Sequence, residues 1–495
     1  MDTLVTDTLL VTMDPDTPGG SGDLGIVERG AVGWTDGEIV YVGPADAVDP
    51  ADAERTIDGD GRLTCPGFVN VHVHGRHSIV RGAAQDVPEI EWMDRALGPI
   101  VDHVTPADGV VGARLTALEA IASGTTTIGE YATDVAALVD EVYRPLGLRV
   151  VATETINELP DTSDVRDSDD SDDSDDSGVR DPDEPVPFDR ERGAAALGRA
   201  EALFERYADD PLVEPAYGPQ ALDMVSMDRL REVVDRARAA DRTVHMHVAQ
   251  GDRERRGIEA RYGDGETTVG VLDAAGLLGD HLLAAHLHGA TVDERARLAD
   301  AGVRMVGCPS SITAIDGIVP PIVEYREHGG DVGIGTDQAP GPGGHHALRE
   351  LRTAALLAKA DRGDPTALDA AGALEIATIG GARALGIDDR VGSLSPGKRA
   401  DVAVYDLGSV GVAPTVNDPF HTAIPNLVYG AVGNELEAAF VDGVQLVSAG
   451  GIVGLDADAV VAEANERAER IFADAAADWR AAGSTLVDDV DAGRL

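Results

Sequence analysis

Short apolar runs alternate with longer amphipathic stretches through the middle of the chain. Runs of four to eight apolar residues predict buried strands, and apolar residues recurring every three or four positions predict helices. The predicted strands are residues 68–74, 125–130, 149–155, 212–217, 243–249, 281–286, 303–308 and 331–336. Helical patterns between them include residues 107–123, 190–207, 226–240, 292–301 and 347–360.

This alternation is typical of parallel βα units. Eight such units predict an α/β fold, namely a distorted TIM (β/α)8 barrel that occupies residues 65–390. Residues 1–64 and 391–455 read instead as short strands, with a hairpin turning at Asp36-Gly37. Neither end is large enough for a good core, so we expect both to form one small composite β-sandwich domain. Residues 456–495 are predicted to be a C-terminal helical extension.

Charge is the most unusual feature of the composition. The formal net charge is −49, and only two of the 40 basic residues, Lys359 and Lys398, are lysine. Acidic excess spread along the whole chain argues against nucleic-acid binding and predicts adaptation to high salt, where repulsion is screened. A Ser-Asp-Asp repeat within residues 161–187 is too polar to form a core, so that insertion is predicted to be disordered.

The remaining bulk features indicate a soluble protein. No apolar run is long enough to span a membrane, and the first residues lack the pattern of a signal peptide. Two cysteines, Cys65 and Cys308, form no disulfide framework. We therefore expect a cytoplasmic protein that has no membrane partner.

Histidines stand where several predicted strands end. His72 and His74 are two residues apart, so their side chains point to the same side of the first strand. Either they share a metal ion, or the pair is a chance occurrence at a strand edge. Further candidates at strand ends are His245, His247, His286 and Asp337. Because the ends of parallel strands meet at one face of such a barrel, a metal site is favoured.

Motifs in the same order along nearly the whole chain resemble the amidohydrolase superfamily. The resemblance is to its branch of triazine hydrolases, guanine and cytosine deaminases, and methylthioadenosine/adenosylhomocysteine deaminases. The matching stretches are residues 66–74, Trp92-Met93 with Pro99, 123–127, 245–249, 285–286, 308–311, 335–337 and 392–401.

The resemblance implies one divalent metal held by His72, His74, His247 and Asp337, with His286 ligating it or orienting its water. His247 is favoured over His245 because the family's ligand lies three residues before the position of Gln250. Binuclear members carry a lysine on the fourth strand, where this chain has none. Zinc is the expected ion, and iron is the alternative.

The resemblance also implies catalytic roles. Metal-bound hydroxide would attack a ring carbon of an N-heterocycle, with Asp337 as the general base and His286 stabilising the nucleophile. Gln250 stands where most deaminases of this branch have a proton-shuttling glutamate, and an amide cannot act as an acid near pH 7. Gln220 and Cys308 also depart from the family pattern. Expected substrate contacts are therefore Trp92, Gln220, Gln250 and Cys308.

Other groups are candidates for the missing proton transfer. His288, His345 and His346 are near the site by position, and Glu130 at the end of the second strand could face it. The sequence thus predicts an aminohydrolase, and the resemblance implies a homodimer or higher homo-oligomer. The alternatives are chlorohydrolase or cyclic-amidase chemistry of the same superfamily and, in a different class, a metal-binding barrel without catalysis.

Overall fold

The computed structural model describes residues 1–160, 185–341 and 343–494. Its strands form two sheets, a barrel in the middle of the chain and a mixed sheet built from both chain ends. In chain order the strands are β1 (Thr3–Val11), β2 (Ile26–Thr35), β3 (Glu38–Pro44), β4 (Arg55–Asp58), β5 (Arg62–Pro66), β6 (Phe68–Val73), β7 (Thr125–Ala132), β8 (Arg149–Ile156), β9 (Val213–Pro219), β10 (Val244–Val248), β11 (Leu282–His286), β12 (Arg304–Gly307), β13 (Val332–Ile334), β14 (Val402–Asp406), β15 (Leu436–Val441), β16 (Val444–Ser448) and β17 (Gly451–Ile452).

The barrel consists of β6 to β13 in sequence order, with every neighbouring pair parallel. Its eight strands lie at the eight predicted positions, so the predicted TIM-type fold is confirmed. The first and last strands approach each other just beyond their ends. There the Asp337 N–H donates to the His72 carbonyl at 2.9 Å, and the His74 N–H donates to the Asp337 carbonyl at 2.7 Å. These two bonds bring residues from opposite ends of the barrel sequence together.

Both faces of the barrel strands are covered. Every residue of β6 and of β7 is buried, as expected for strands whose outer face is covered by the helices that connect them. The longer α-helices are Pro106–Ala122, Arg190–Arg206, Met227–Ala240, Asp252–Tyr262, Thr268–Ala274, Val292–Asp300, Pro309–Ile315, Ile322–Glu327, Ala347–Arg362, Ala370–Ile376, Ile379–Leu385, Ala423–Gly430, Ala457–Ala482 and Thr485–Asp491.

The mixed sheet joins the two chain ends where strand β5, from the first end, pairs with strand β14, from the second. Strand β5 lies between β1 and β14, so residues more than 300 positions apart along the chain are hydrogen-bonded neighbours. Trp34 and Phe440 pack edge to face across this sheet, with ring centroids 5.0 Å apart. The predicted hairpin at Asp36-Gly37 is present, and both residues have the positive φ that such a turn requires.

The C-terminal helix Ala457–Ala482 packs on the outside of the barrel against helix Pro106–Ala122. Its Arg467 and Arg470 pair with Asp108, which is completely buried. Among the described residues, no helix is both long enough and apolar enough to cross a membrane. The division of the chain at residues 64, 390 and 455 stays a prediction. The predicted insertion at residues 161–187 lies outside the described residues except for its last three positions.

Candidate metal centre and active site

Five side chains meet at the carboxyl-terminal end of the barrel. They are His72 and His74 from the end of β6, His247 on β10, His286 at the end of β11, and Asp337 just after β13. Two overlapping triads have ligand atoms within 4.8 Å of one another: His72 with His74 and His247, and His72 with His286 and Asp337. Fold geometry brings them together because parallel strands all end at the same face.

The spacing of these atoms suits one shared cation. Nε2 of His72 and of His74 lie 3.6 and 3.5 Å from Asp337 Oδ1, and Nε2 of His247 lies 3.4 Å from Nε2 of His74. Ligands about 2.1 Å from a tetrahedral zinc ion are about 3.4 Å apart. These three separations are close to that spacing, so the two triads, which share His72, could together hold one divalent ion.

Backbone carbonyls fix the orientation of two of the rings. Nδ1 of His74 donates to the Tyr131 carbonyl at 2.8 Å, and Nδ1 of His247 donates to the Gln220 carbonyl at 2.9 Å. A neutral imidazole that carries its proton on Nδ1 has a free lone pair on Nε2. Both rings thus present Nε2 to the centre, which is the usual arrangement of metal-binding histidine.

His72 is oriented by a second histidine. Its Nδ1 lies 2.9 Å from Nε2 of His245, and its own Nε2 is buried without a hydrogen-bond partner. Burying such a nitrogen unpaired is costly, and a cation would satisfy it. The structure therefore places His245 one layer behind the centre, as a support for His72.

Burial keeps these histidines neutral. Desolvation lowers the pKa of His72, His247 and His286 well below the ordinary value, and repulsion between neighbouring rings lowers it further. Neutral imidazole is the form that binds a metal, because the proton and the ion compete for the same lone pair.

The carboxylate of Asp337 is held by a serine that the sequence patterns did not single out. The Ser311 hydroxyl donates to Oδ2 of Asp337 at 2.5 Å, leaving Oδ1 facing the histidines. Asp337 and His286 both have positive φ, 60° and 86°. Such backbone is strained for residues other than glycine and is characteristic of functional sites. In the sequence, Ser311 is marked by its place in residues 308–311, one of the stretches that resemble the family.

Replacing Ser311 by alanine should weaken metal binding. Loss of a hydrogen bond to a ligating carboxylate typically lowers metal affinity or activity by about 10–100-fold. Competition with a chromophoric chelator would measure the metal Kd of the variant. Thr313→Ala is the matched control, because Thr313 lies two residues further along the same helix and bonds to the Ile318 carbonyl at the surface. Equal affinities in the two variants would show that Ser311 has no such role.

Two adjacent cavities lead to the centre. The inner one, about 60 Å³, has walls that include Glu89, Trp92, Gln250, Arg253, His286, Asp316 and Asp337. The outer one, about 570 Å³, shares Glu89, Ile315 and Asp316 with it. Trp92 Nε1 and Gln250 Nε2 are buried without partners. Unpaired buried donors beside a cavity are available to a ligand.

The four predicted substrate contacts occupy different places. Trp92 and Gln250 line the inner cavity. Gln220 offers its backbone carbonyl to His247. Cys308 is fully buried within an apolar cluster, and burial raises the pKa of its thiol. Trp92 and Gln250 are thus the two that face the space beside the centre.

The candidate proton carriers are also separated by the fold. His288 lines the outer cavity, with Nε2 3.4 Å from Asp316 Oδ1. His345 is buried between Thr336 and Ser78, to which its ring nitrogens are hydrogen-bonded. His346 is largely buried, and burial lowers its pKa. His288 is therefore the one of these three that faces either cavity.

Glu130 is a buried structural carboxyl. It accepts hydrogen bonds from the Tyr143 hydroxyl at 2.6 Å and the Gly75 N–H at 2.9 Å. Burial raises its pKa to about 7, and these bonds only partly oppose that effect. Its folded pKa thus exceeds its ordinary value of 4.5.

This shift predicts a pH-dependent difference between the wild type and Glu130→Gln. The protonated Glu130 carboxyl contributes its full stabilisation of the fold below pH 4.5. This contribution is lost as the pH rises through about 7 and the carboxyl ionises. Glutamine does not ionise, so the variant should gain stability relative to the wild type between pH 5 and 8, by on the order of 2 kcal/mol. Urea unfolding at fixed salt measures this, with the exposed Glu327→Gln as control. Parallel pH profiles for wild type and Glu130→Gln would contradict the prediction.

Glu89 and Asp316 also line both cavities, although the sequence patterns pointed to neither. Glu89 begins a short helix, and Asp316 follows another. Burial raises the pKa of Glu89, and the negative charge of Asp316 raises it further. Only the packing of these segments against the barrel end brings the two carboxyl groups together.

Comparison with known proteins places this site in a family. Residues 63–446 match the amidohydrolase family model. A 5-methylthioadenosine/S-adenosylhomocysteine deaminase from Moorella thermoacetica is 31% identical over 443 residues, which is 89% of this chain and 95% of that protein. A 5'-deoxyadenosine deaminase from Methanosarcina mazei is 30% identical over 475 residues, 95% of this chain and 99% of that protein.

Solved structures show the same architecture. An adenosine deaminase from Xanthomonas campestris, crystallised with bound zinc, superposes with a TM-score of 0.81 at 28% identity and covers 95% of this chain and 98% of its own. An atrazine chlorohydrolase from Arthrobacter aurescens has the same fold at 24% identity, with a TM-score of 0.78 and coverage of 94% and 100%. With its barrel, its convergent histidines and a family match over most of its length, the chain belongs to the amidohydrolase family.

Proposed function

We propose that this protein is a metal-dependent aminohydrolase that exchanges an exocyclic amino group on an N-heterocycle for oxygen and releases ammonia. The observation that carries the proposal is the convergence of four histidines and Asp337 beside a small cavity. Such a set leaves room for water at a bound cation, as catalytic sites require. The deaminase relatives support amine release as the reaction.

His72, His74, His247 and Asp337 are the proposed ligands, and His286 completes the set or orients the reacting water. A bound divalent ion supplies the acidity that makes a water nucleophilic near neutral pH. Zinc is the proposed ion because nitrogen and oxygen ligands suit it and the Xanthomonas campestris relative contains it. Iron is the alternative.

The protein's own side chains orient the substrate and deprotonate the attacking water. Asp337 accepts the proton of the attacking water as the general base, and the Ser311 bond keeps that carboxylate in position. Gln250 offers a buried, unpaired amide Nε2 to an acceptor such as a ring nitrogen. Trp92 forms part of the wall of the inner cavity.

An adenine-type nucleoside derivative is the proposed substrate class. The relatives are named for methylthioadenosine, adenosylhomocysteine and deoxyadenosine, which all carry a large substituent on the base. The inner cavity would take the reacting edge of the ring and the outer cavity the substituent. The acidic side chain of Asp252 in the outer wall suits hydroxyl or ammonium groups on that substituent.

Metal analysis combined with a substrate panel tests the proposal. We expect about one divalent ion per chain, and ammonia release from 5'-methylthioadenosine or 5'-deoxyadenosine that a chelator abolishes. Guanine and a chlorinated triazine complete the panel. A folded, metal-loaded sample that releases chloride but no ammonia would favour the chlorohydrolase alternative, and one that turns over nothing would favour a binding role.

A homo-oligomeric state, a cytoplasmic location and adaptation to high salt stay predictions from the sequence. The high salt adaptation bears on the assays, because acidic proteins repel themselves when charge is poorly screened. We therefore expect activity to be measured best in buffers of high ionic strength.

A further inference from the structure

Release of an amine needs a proton donor at the leaving nitrogen. In the proposed reaction the water oxygen bonds to the ring carbon, and the exocyclic C–N bond breaks with its electron pair on nitrogen. The amino nitrogen must gain one proton to depart as ammonia. The other proton of the water ends on the adjacent ring nitrogen, so that the two products balance the two reactants.

The walls of the inner cavity limit the choice of donor. Its titratable groups are Glu89, Arg253, His286, Asp316 and Asp337. Arginine does not give up its proton in proteins, and the Gln250 amide has none to give near neutral pH. His286 and Asp337 belong to the proposed metal centre and its water. Two carboxyl groups, Glu89 and Asp316, are left.

Glu89 and Asp316 approach each other beside Gly251. A Cβ on Gly251 would lie 2.9 Å from Glu89 Oε1 and 3.0 Å from Asp316 Oδ1. Gly251 also has φ of +143°, which disfavours any side chain there. Because Gly251 has no side chain, the carboxyl groups of Glu89 and Asp316 can both lie against it.

The surroundings of the two carboxyl groups differ. Asp316 faces His288, whose Nε2 lies 3.4 Å from its Oδ1. Within the described part of the chain, the hydrogen-bond contacts of Glu89 are long ones, 3.4 Å from each oxygen to the Arg253 N–H, so its carboxyl remains available. Burial and the charge of Asp316 both raise the pKa of Glu89, which favours its protonated form.

We propose that Glu89 is the general acid that protonates the departing nitrogen, while Gln250 only hydrogen-bonds the substrate. This assignment rests on the deaminase function proposed above. Asp316 acts as a positioning residue, because its negative charge beside Glu89 favours the protonated carboxyl. The donor has thereby moved from the strand-end position of Gln250 to the short helix Glu89–Glu91, whose first residue lines the same cavity.

Glu89→Gln tests the assignment, since glutamine keeps the shape and removes the proton. General acid catalysis typically contributes about 10²–10⁴-fold, so we expect kcat for the best amine substrate to fall by that factor. KM should stay within about 3-fold and metal content should be unchanged, because Glu89 is not a ligand. The double variant Glu89→Gln/Gln250→Glu restores a carboxyl to the same cavity and should recover at least about 10-fold of the lost kcat.

Glu91→Gln is the matched control. Glu91 lies on the same helical turn, but its carboxylate accepts from the Thr485 N–H and hydroxyl and does not line the inner cavity. Wild-type kcat in Glu89→Gln would overturn the assignment, and so would a loss that Gln250→Glu leaves uncorrected. A metal-loaded wild type that releases no ammonia from the panel would instead refute the proposed function itself.

Discussion

Replacing His247 by alanine should remove the metal and reduce turnover by at least about 10³-fold. His247 lies at the middle of the site, with Nε2 3.4 Å from Nε2 of His74 and Nδ1 bonded to the Gln220 carbonyl. Without the ion, the pKa of the attacking water returns from about 7 to 15.7, so almost no nucleophile is present at neutral pH. Elemental analysis of the purified variant and ammonia release measure the two effects together.

The matched controls separate metal loss from general damage. His328→Ala removes an exposed histidine that directly follows the helix Ile322–Glu327, so metal content and activity should not change. Asp337→Asn removes both a proposed ligand and the proposed base, so metal content should fall and kcat should fall by at least about 10²–10⁴-fold. Full metal content and activity in His247→Ala would show that the ion, if bound, is held elsewhere.

Replacing Asp401 by alanine should have the largest effect on stability, about 3–5 kcal/mol. Asp401 accepts from Nε and Nη2 of Arg149 at 2.8 and 2.9 Å, and from the Asp442 N–H at 2.8 Å. Both side chains are at least 96% buried, and the pair joins barrel strand β8 to the mixed sheet. Its loss would leave the buried guanidinium with the Pro211 carbonyl, 2.6 Å from Nη1, and with Asp442, at 3.6 Å, as its remaining carboxylate partner among the described residues.

Urea unfolding monitored by tryptophan fluorescence measures this loss. Asp491→Ala breaks the exposed Arg480 pair and should cost no more than about 1 kcal/mol. The double variant Arg149→Met/Asp401→Leu replaces the buried charges by apolar groups, so it should recover much of the stability. If Asp401→Ala has the same urea midpoint of unfolding as the wild type, the two sheets are held together by packing alone.

The barrel was predictable because its signals are local. A strand with both faces covered reads as an apolar run, and a helix reads as a 3.6-residue period, so each element is encoded within about ten to twenty residues. Strand β6 and helix Pro106–Ala122 both begin and end within about one residue of the predicted bounds. Their order alone then implies parallel pairing, because connections between such units are short and right-handed.

The histidine and aspartate set was partly predictable for the same reason. Alternation along a strand puts His72 and His74 on one side, and the barrel puts strand ends on one face. The supporting contacts were not predictable, because they join residues far apart in the chain. His72 and His245 are 173 positions apart, and Ser311 and Asp337 are 26 apart. No local pattern encodes such a pair, since it depends on how the strands are staggered.

By itself, the sequence determined the eight-stranded barrel, the sheet shared by both chain ends and the candidate ligands at the strand ends. Only the tertiary structure decided that His245 supports His72, that Glu130 and Cys308 are buried away from the cavities, and that Glu89 and Asp316 meet beside Gly251. The physical reason is that strands and helices follow from short-range periodicity, whereas the environment of a titratable side chain depends on which distant segments surround it.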